Sequence, residues 1–445
     1  MSWITGTAPA SATSAPVNLF PPPSSSAPAR YSVLPPHYTR LYYPTSTSYR
    51  FTRRSRQPLL SYTLSSLPSL PHLKDAFRAL PFHLSPPPID HDHDHSFFTQ
   101  DTVTNADDRI SIEAFHSDDE ALDAAEKGAV VVDLSHYGRI RVGGEDRIQF
   151  LHNQSTANFE CLSEGQGCDT VFVTPTARTI DIALAWIMKN AITLVVSPVT
   201  CESISKMLEK YIFISDKVEI QDITKQTCMF ALVGPASNQI MERLGLIDLI
   251  GQPYGSHKHY SVNGKPVTVA VGNVISEEGF SFLMSSDSAG TVWKALVAQG
   301  AITMGSGAWE TFRILQGRPA PGKELTDEFN VLEAHLWNGV SLNKGCYKGQ
   351  ETISRLVTYD GVKQRLWGIR LSSLVEVGSA VTVDGKKVGK LTSITAGKRA
   401  SEPFGLGYIK RKAASKGDTV IVGGNVVGTV VEVPFLAQQR VLSKT

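Results

Sequence analysis

Lys344-Gly345-Cys346-Tyr347-Lys348-Gly349-Gln350-Glu351 places one thiol between two cations and two glycines, directly ahead of a helical pattern. Ile353, Leu356 and Val357 recur at i, i+3 and i+4, which predicts a helix with Gln350 and Glu351 in its first turn. Cys346 then lies just before a helix N-terminus. The partial positive charge of that end, with Lys344 and Lys348, would make the sulfur more nucleophilic or more ligand-like. Gly345 and Gly349 bare the backbone on both sides, which suits close approach of a ligand and equally suits a tight turn without chemistry.

The segments around this stretch fix its setting. Upstream run Arg313-Ile314-Leu315-Gln316-Gly317-Arg318-Pro319, Glu324-Leu325-Thr326-Asp327-Glu328 and Leu332-Glu333-Ala334. Further upstream are Gly143-Gly144-Glu145-Asp146-Arg147 with Phe150 to Thr156, and Ser276-Glu277-Glu278-Gly279-Phe280. In this order and spacing the chain resembles the YgfZ-type folate-binding family, related to the aminomethyltransferase (T-protein, GcvT) of the glycine cleavage system, over roughly residues 110 to 435. The resemblance implies an α+β, aminomethyltransferase-like folate-binding body followed by a small C-terminal antiparallel β-barrel. Tetrahydrofolate is the implied cofactor. Glu277 is the implied pterin carboxylate, with Glu278 as the alternative register, because a pterin edge offers adjacent N–H donors that one carboxylate can accept together. Asp181 is the implied aspartate near the reactive nitrogen, with Ile182 the alternative.

Two departures bear on activity. Where aminomethyltransferases carry Gly-Ala-Arg-Asp, this chain has Gly307-Ala308-Trp309-Glu310, so a basic group for the folate tail is missing. Arg313 follows one turn later, as a folate contact or as an ion-pair partner of Glu310 at i−3. Aminomethyltransferases also lack the Lys-Gly-Cys-Tyr-x-Gly-Gln-Glu element, which aligns the chain with the YgfZ-type branch. That branch implies a folate-dependent role in iron–sulfur cluster assembly or repair, with Cys346, Lys344, Tyr347, Gln350 and Glu351 at the working site and iron–sulfur client or assembly proteins as partners. The alternative is a tetrahydrofolate-dependent aminomethyl or methyl transferase. A Cys–His hydrolase has no local support, since no motif sets a histidine beside Cys346.

Composition narrows the classes further. The 445 residues contain 42% hydrophobic residues, enough for two or three domains with sizeable cores. With 43 basic and 42 acidic side chains the net charge is +1, which gives no global field for nucleic acid or an anionic membrane. The apolar runs are strand-sized, such as Ile192 to Val196, so no membrane span is expected. Five scattered cysteines, without a CxxC pair, form neither a secreted disulfide framework nor a permanent zinc or iron–sulfur site.

The first 74 residues hold no acidic side chain, but include Arg30, Arg40, Arg50, Arg53, Arg54, Arg56 and Lys74 among Ser, Thr and Pro. This is transit-peptide composition. Pro9, Pro16, Pro21 to Pro23, Pro28, Pro35 and Pro36 break the amphipathic helix a mitochondrial presequence prefers, so the chloroplast stroma is the expected address and the mitochondrion the alternative. A disordered Pro/Ser-rich tail without an address is the other alternative. The alternating His and Asp of residues 91–95 read as solvated spacer. Residues 1–95 are thus expected to be transit peptide and linker, 110–363 the body, and 364–436 the barrel. Within the body, Asp118 and Asp119 are expected to cap a helix that ends at Gly128, and another helix is expected from Ala289 to Ala298. Paired strands are expected at Asp169 to Thr174 and Ile180 to Ile187, around the turn at residues 175–178. Asp384-Gly385 and Gly423-Gly424 mark hairpins of the barrel.

Overall fold

The computed structural model describes residues 83–84, 117–398 and 403–439, all within one compact unit, Leu70–Thr445. The expected transit peptide and the His/Asp run lie outside the described residues, apart from a two-residue strand, His83–Leu84. Two sheets form the body. One is antiparallel, in the order Gly167–Val173, Thr179–Ile187, Ala191–Val196, Gly138–Gly143 and Glu219–Asp222. The other runs His83–Leu84, His257–Val262, Lys265–Val271, Phe280–Ser285, Thr227–Val233, Val130–Asp133 and Ile302–Met304, with the last pair parallel. Helices cover these sheets, giving the mixed body that the alternating helix and strand signals predict.

Local chemistry sets the boundaries. The first helix, Asp118–Lys127, is capped by Ser117, whose side chain accepts from the Glu120 N–H, rather than by Asp118 or Asp119. Those two acids occupy the first turn, where they complement the helix dipole. The Ser286–Ala298 helix begins ahead of the expected Ala289, because its first turn is polar and apolar periodicity starts only afterwards. Among the described residues no helix is long and apolar enough to cross a membrane.

Gln364–Leu371, Phe404–Lys410, Lys386–Thr395, Ala380–Val383, Thr419–Val422 and Val426–Val431 close into a six-stranded antiparallel barrel. Asp384 and Gly385 both have positive φ, +48° and +72°, as a two-residue turn matched to strand twist requires. Ile369, Leu391, Ile409 and Val430 are fully buried in the barrel core. A fully buried carboxylate, Glu324, fastens the barrel to the body. It accepts from Thr392 Oγ1 at 2.8 Å and Ser393 Oγ at 2.5 Å on the barrel, and from Arg313 at 3.0 Å on the Ser306–Gln316 helix. Phe329 stacks on Tyr408 at 3.5 Å across the same junction, and the Tyr408 hydroxyl donates to the Glu324 carbonyl.

Candidate functional site

Asp181 is buried on the Thr179–Ile187 strand, against a cavity of ≈ 50 Å³ that Tyr137, Ile275, Arg313 and Arg318 also line. Its Oδ1 accepts from the Ile182 N–H at 2.7 Å, and its Oδ2 from the Ser197 N–H at 2.8 Å and Thr200 Oγ1 at 2.5 Å. Burial pushes its pKa up to about 6, against the opposing pull of those three donors and of the Arg318 charge. The carboxyl therefore exchanges its proton near pH 6. Ile182, the alternative in register, lines the same cavity.

Ile275 and Arg318 also wall a second cavity, of ≈ 150 Å³, with Asp169, Tyr254, Glu277 and Phe435. Asp169 accepts from the Tyr254 hydroxyl at 2.6 Å and from Arg318 at 2.9 Å. The Arg318 guanidinium lies 4.7 Å from the centre of the Phe435 ring. Glu277 is exposed on this wall, whereas Glu278 faces a different depression, between the first helix and the barrel. Cys168, Asp169 and Asn338 continue from the second cavity into an open cleft of ≈ 520 Å³ that also holds Cys161. Asp181 lines the first cavity and Glu277 the second, and Arg318 and Ile275 line both.

Arg313 touches the innermost wall, but its donors are committed to protein. Nε and Nη2 donate to Glu310 at 2.9 and 2.8 Å, Nη1 to Glu324 and the Arg318 carbonyl, and Nη2 again to Ser393. The ion-pair alternative is the geometry found, and it leaves no N–H for a folate.

The Lys344–Glu351 segment follows directly on Asn343, which lines the open cleft. Its helix runs Gln350–Thr358, so Gln350 and Glu351 do stand in the first turn. Gly349 precedes them at φ +84°, packed so that a Cβ would lie 2.8 Å from the Thr174 carbonyl oxygen. Cys346 is exposed. Both lysines are held by protein groups. Lys344 Nζ donates to the carbonyls of His152, Ser155 and Ala157 at 2.5, 2.8 and 2.6 Å, because the end of the Arg147–Gln154 helix offers unpaired acceptors. Burial lowers its pKa to about 8. Lys348 Nζ reaches Met207 Sδ at 3.1 Å and lies over the Tyr211 ring. Both ammonium groups anchor the loop. Tyr347 is buried beneath Lys344, with its hydroxyl pushed up to about 12 by burial. Glu351 pairs with Arg355 on the surface.

Sequence reasoning did not single out Asp169, Tyr254 or Arg318 as site residues. Asp169 meets Tyr254 and Arg318 across separations of 85 and 149 residues, which no local pattern signals. Among the described residues no group of three or more His, Cys, Asp or Glu is placed to hold a metal ion.

A model described as the GCVT N-terminal domain matches residues 98–344, and one described as the glycine cleavage T-protein C-terminal barrel domain matches residues 364–436. The chain belongs to the glycine cleavage T-protein family. Among members of this family, it is 67% identical over 366 residues to a chloroplastic protein of Arabidopsis thaliana that carries the name of a transferase, covering 81% of this chain and 83% of that one. It is 29% identical to the aminomethyltransferase of Geobacillus kaustophilus, covering 73% of this chain and 92% of that one. The fold resembles the crystal structure of the glycine cleavage system aminomethyltransferase T from Bartonella henselae, with a TM-score of 0.65 at 17% identity over 75% of this chain and 93% of that one.

Proposed function

We propose that this family member is a plastid folate-binding protein that serves iron–sulfur cluster biogenesis or repair, with Cys346 as its working thiol. The observation that carries the folate half is Arg318, which with Ile275 lines both the cavity of Asp181 and the cavity of Glu277, residues far apart in sequence. The residues present fit the ligand. Glu277 would accept the pterin N–H groups. Arg318, whose guanidinium makes a single hydrogen bond among the described residues, would hold the anionic tail in place of the base missing at Trp309. Asp181, its pKa raised by burial to about 6, would hold or release a proton beside the reactive nitrogen. Tetrahydrofolate, when bound, supplies the nitrogen atoms that carry a one-carbon unit.

The cluster half rests on the resemblance of the Lys344–Glu351 segment to the YgfZ-type element and on an exposed thiol held on an anchored loop. Gln350 and Glu351 would form the rim that a client meets. A one-carbon transferase is the second reading, favoured by the relatives named aminomethyltransferase and by the titratable Asp181 in the cavity.

Calorimetric titration with a reduced folate should show binding that weakens by about 1.5–3 kcal/mol on Glu277→Ala, the range for hydrogen bonds to a charged group. Failure of the wild type to bind removes the cofactor. Plastids lacking the chain should regain iron–sulfur enzyme activity with wild type and not with Cys346→Ala. Full rescue by Cys346→Ala favours the transferase. The plastid address is supported by the chloroplastic relative and the acid-free leader, and residues 1–90 fused to a fluorescent reporter should reach the stroma. Mitochondrial import would overturn it.

A further inference from the structure

His152 is a buried polar side chain that the fold leaves without a partner beside the Lys344–Glu351 segment. It sits in the Arg147–Gln154 helix with 1% of its surface exposed, and neither Nδ1 nor Nε2 has a hydrogen-bond partner among the described residues. A neutral imidazole carries one donor and one acceptor, and leaving such a group buried and unmet is costly to the fold. Stability alone would remove such a residue, so a polar histidine here points to a partner in the working state. Its surroundings say which. The His152 carbonyl accepts from Lys344 Nζ, and Gly345 lies so close to the ring that a Cβ on it would stand 3.3 Å from Nε2. The next residue is the exposed Cys346.

We infer that His152 and Cys346 form a thiol–imidazole pair, in which Nε2 takes the thiol proton when the sulfur acts. The S–H bond breaks, an N–H bond forms at Nε2, and the electron pair stays on sulfur as a thiolate nucleophile. Without a Cβ, Gly345 lets the loop that carries Cys346 lie against the ring edge. Acceptance at Nε2 requires a neutral ring, and burial, then the Lys344 charge, lower the imidazole pKa, with Glu160 opposing. Those are the charged groups facing the ring, one from the loop and one from the short turn Phe159–Cys161. Since Nε2 has no partner in the open loop, the thiol must turn toward it by a change of rotamer or a small shift of residues 341–346.

This inference rests on the reading of Cys346 as the working thiol, and its test is separate from cluster rescue. Mass-resolved alkylation by iodoacetamide would be followed from about pH 6 to about pH 8 in wild type, His152→Ala and His152→Gln. The carbonyl that holds Lys344 survives in each variant, so the loop anchor is kept. Alkylation of Cys346 should slow by on the order of tenfold or more at neutral pH in both variants, as loss of a general base implies. Alkylation of Cys161 should stay at the wild-type rate. A wild-type rate at Cys346 in either folded variant overturns the pair. Should neither variant fold, the wild type decides: carboxamidomethylation of Cys346 should shift the ring NMR resonances of His152, and unmoved resonances overturn the pair. Slowed alkylation together with full rescue by Cys346→Ala would keep the pair and sink the cluster role.

Discussion

Arg313 and Arg318 stand five residues apart in one sequence run, and both are buried, yet they belong to different regions. Arg313 lies at the junction of body and barrel, where its hydrogen bonds to Glu310, Glu324, Ser393 and the Arg318 carbonyl use every N–H of the guanidinium. Arg318 borders the two cavities, donates to Asp169 alone among the described residues, and lies over the Phe435 ring. A buried arginine with all donors matched is scaffold. Arg318, lining both cavities with a single side-chain hydrogen bond, is the one proposed to bind. Residue type and spacing do not separate these cases, but the count of satisfied donors does.

The largest effect that could break this comparison is on stability. Arg313→Met should destabilise the fold by about 3–5 kcal/mol, because it strands the fully buried Glu324 as an unpaired charge. Arg318→Met should cost much less, since Asp169 is partly exposed and keeps its bond from Tyr254. It should instead weaken reduced-folate binding. Urea denaturation and calorimetric titration of both variants check this. Equal stability losses, or unchanged folate affinity in Arg318→Met, would erase the distinction between the two regions.

A second effect separates the cavities from the scaffold by pH. Asp181 titrates at about 6 in the folded chain, against 3.8 ordinarily. Between those values the folded state holds a proton that the unfolded chain has lost. Stability from this group is therefore complete below the unfolded value and falls as pH rises to about 6, by roughly 3 kcal/mol for a shift of about two pKa units. Asp181→Asn should flatten that fall in denaturation measured across the window. A wild-type slope that persists in the variant would place the titration on another group.

Much of the fold was legible because its signals are local. Asp384-Gly385 announced a hairpin with positive φ at both positions, and the strands around residues 175–178 pair as their alternation implied. The candidate site was legible in part. Asp181, Glu277 and Cys346 stood in recognisable segments, but the function of the lysines did not follow from adjacency. Lys344 finds its acceptors at residues 152, 155 and 157, across separations of 187 to 192 residues. Only the folded chain brings those three carbonyls together around one ammonium group. His152 was hidden for the same reason: its approach to Gly345 is tertiary.

The smallest effect sharpens the comparison at the other end of the Cys346 segment. Glu351 and Arg355 form an i,i+4 pair at 2.6 Å, with side chains 76% and 70% exposed. Such a pair on a helix surface contributes about 0.3–0.5 kcal/mol. Glu351→Gln should therefore shift the urea midpoint barely above error, and it leaves the Lys344 anchor and the His152 ring untouched. If Glu351 meets a client as part of the Cys346 rim, rescue of iron–sulfur enzyme activity should drop far more than this stability loss explains. Equal, near-zero changes in both measurements would reduce Glu351 to a helix pair and confine the working site to Cys346 and the residues behind it.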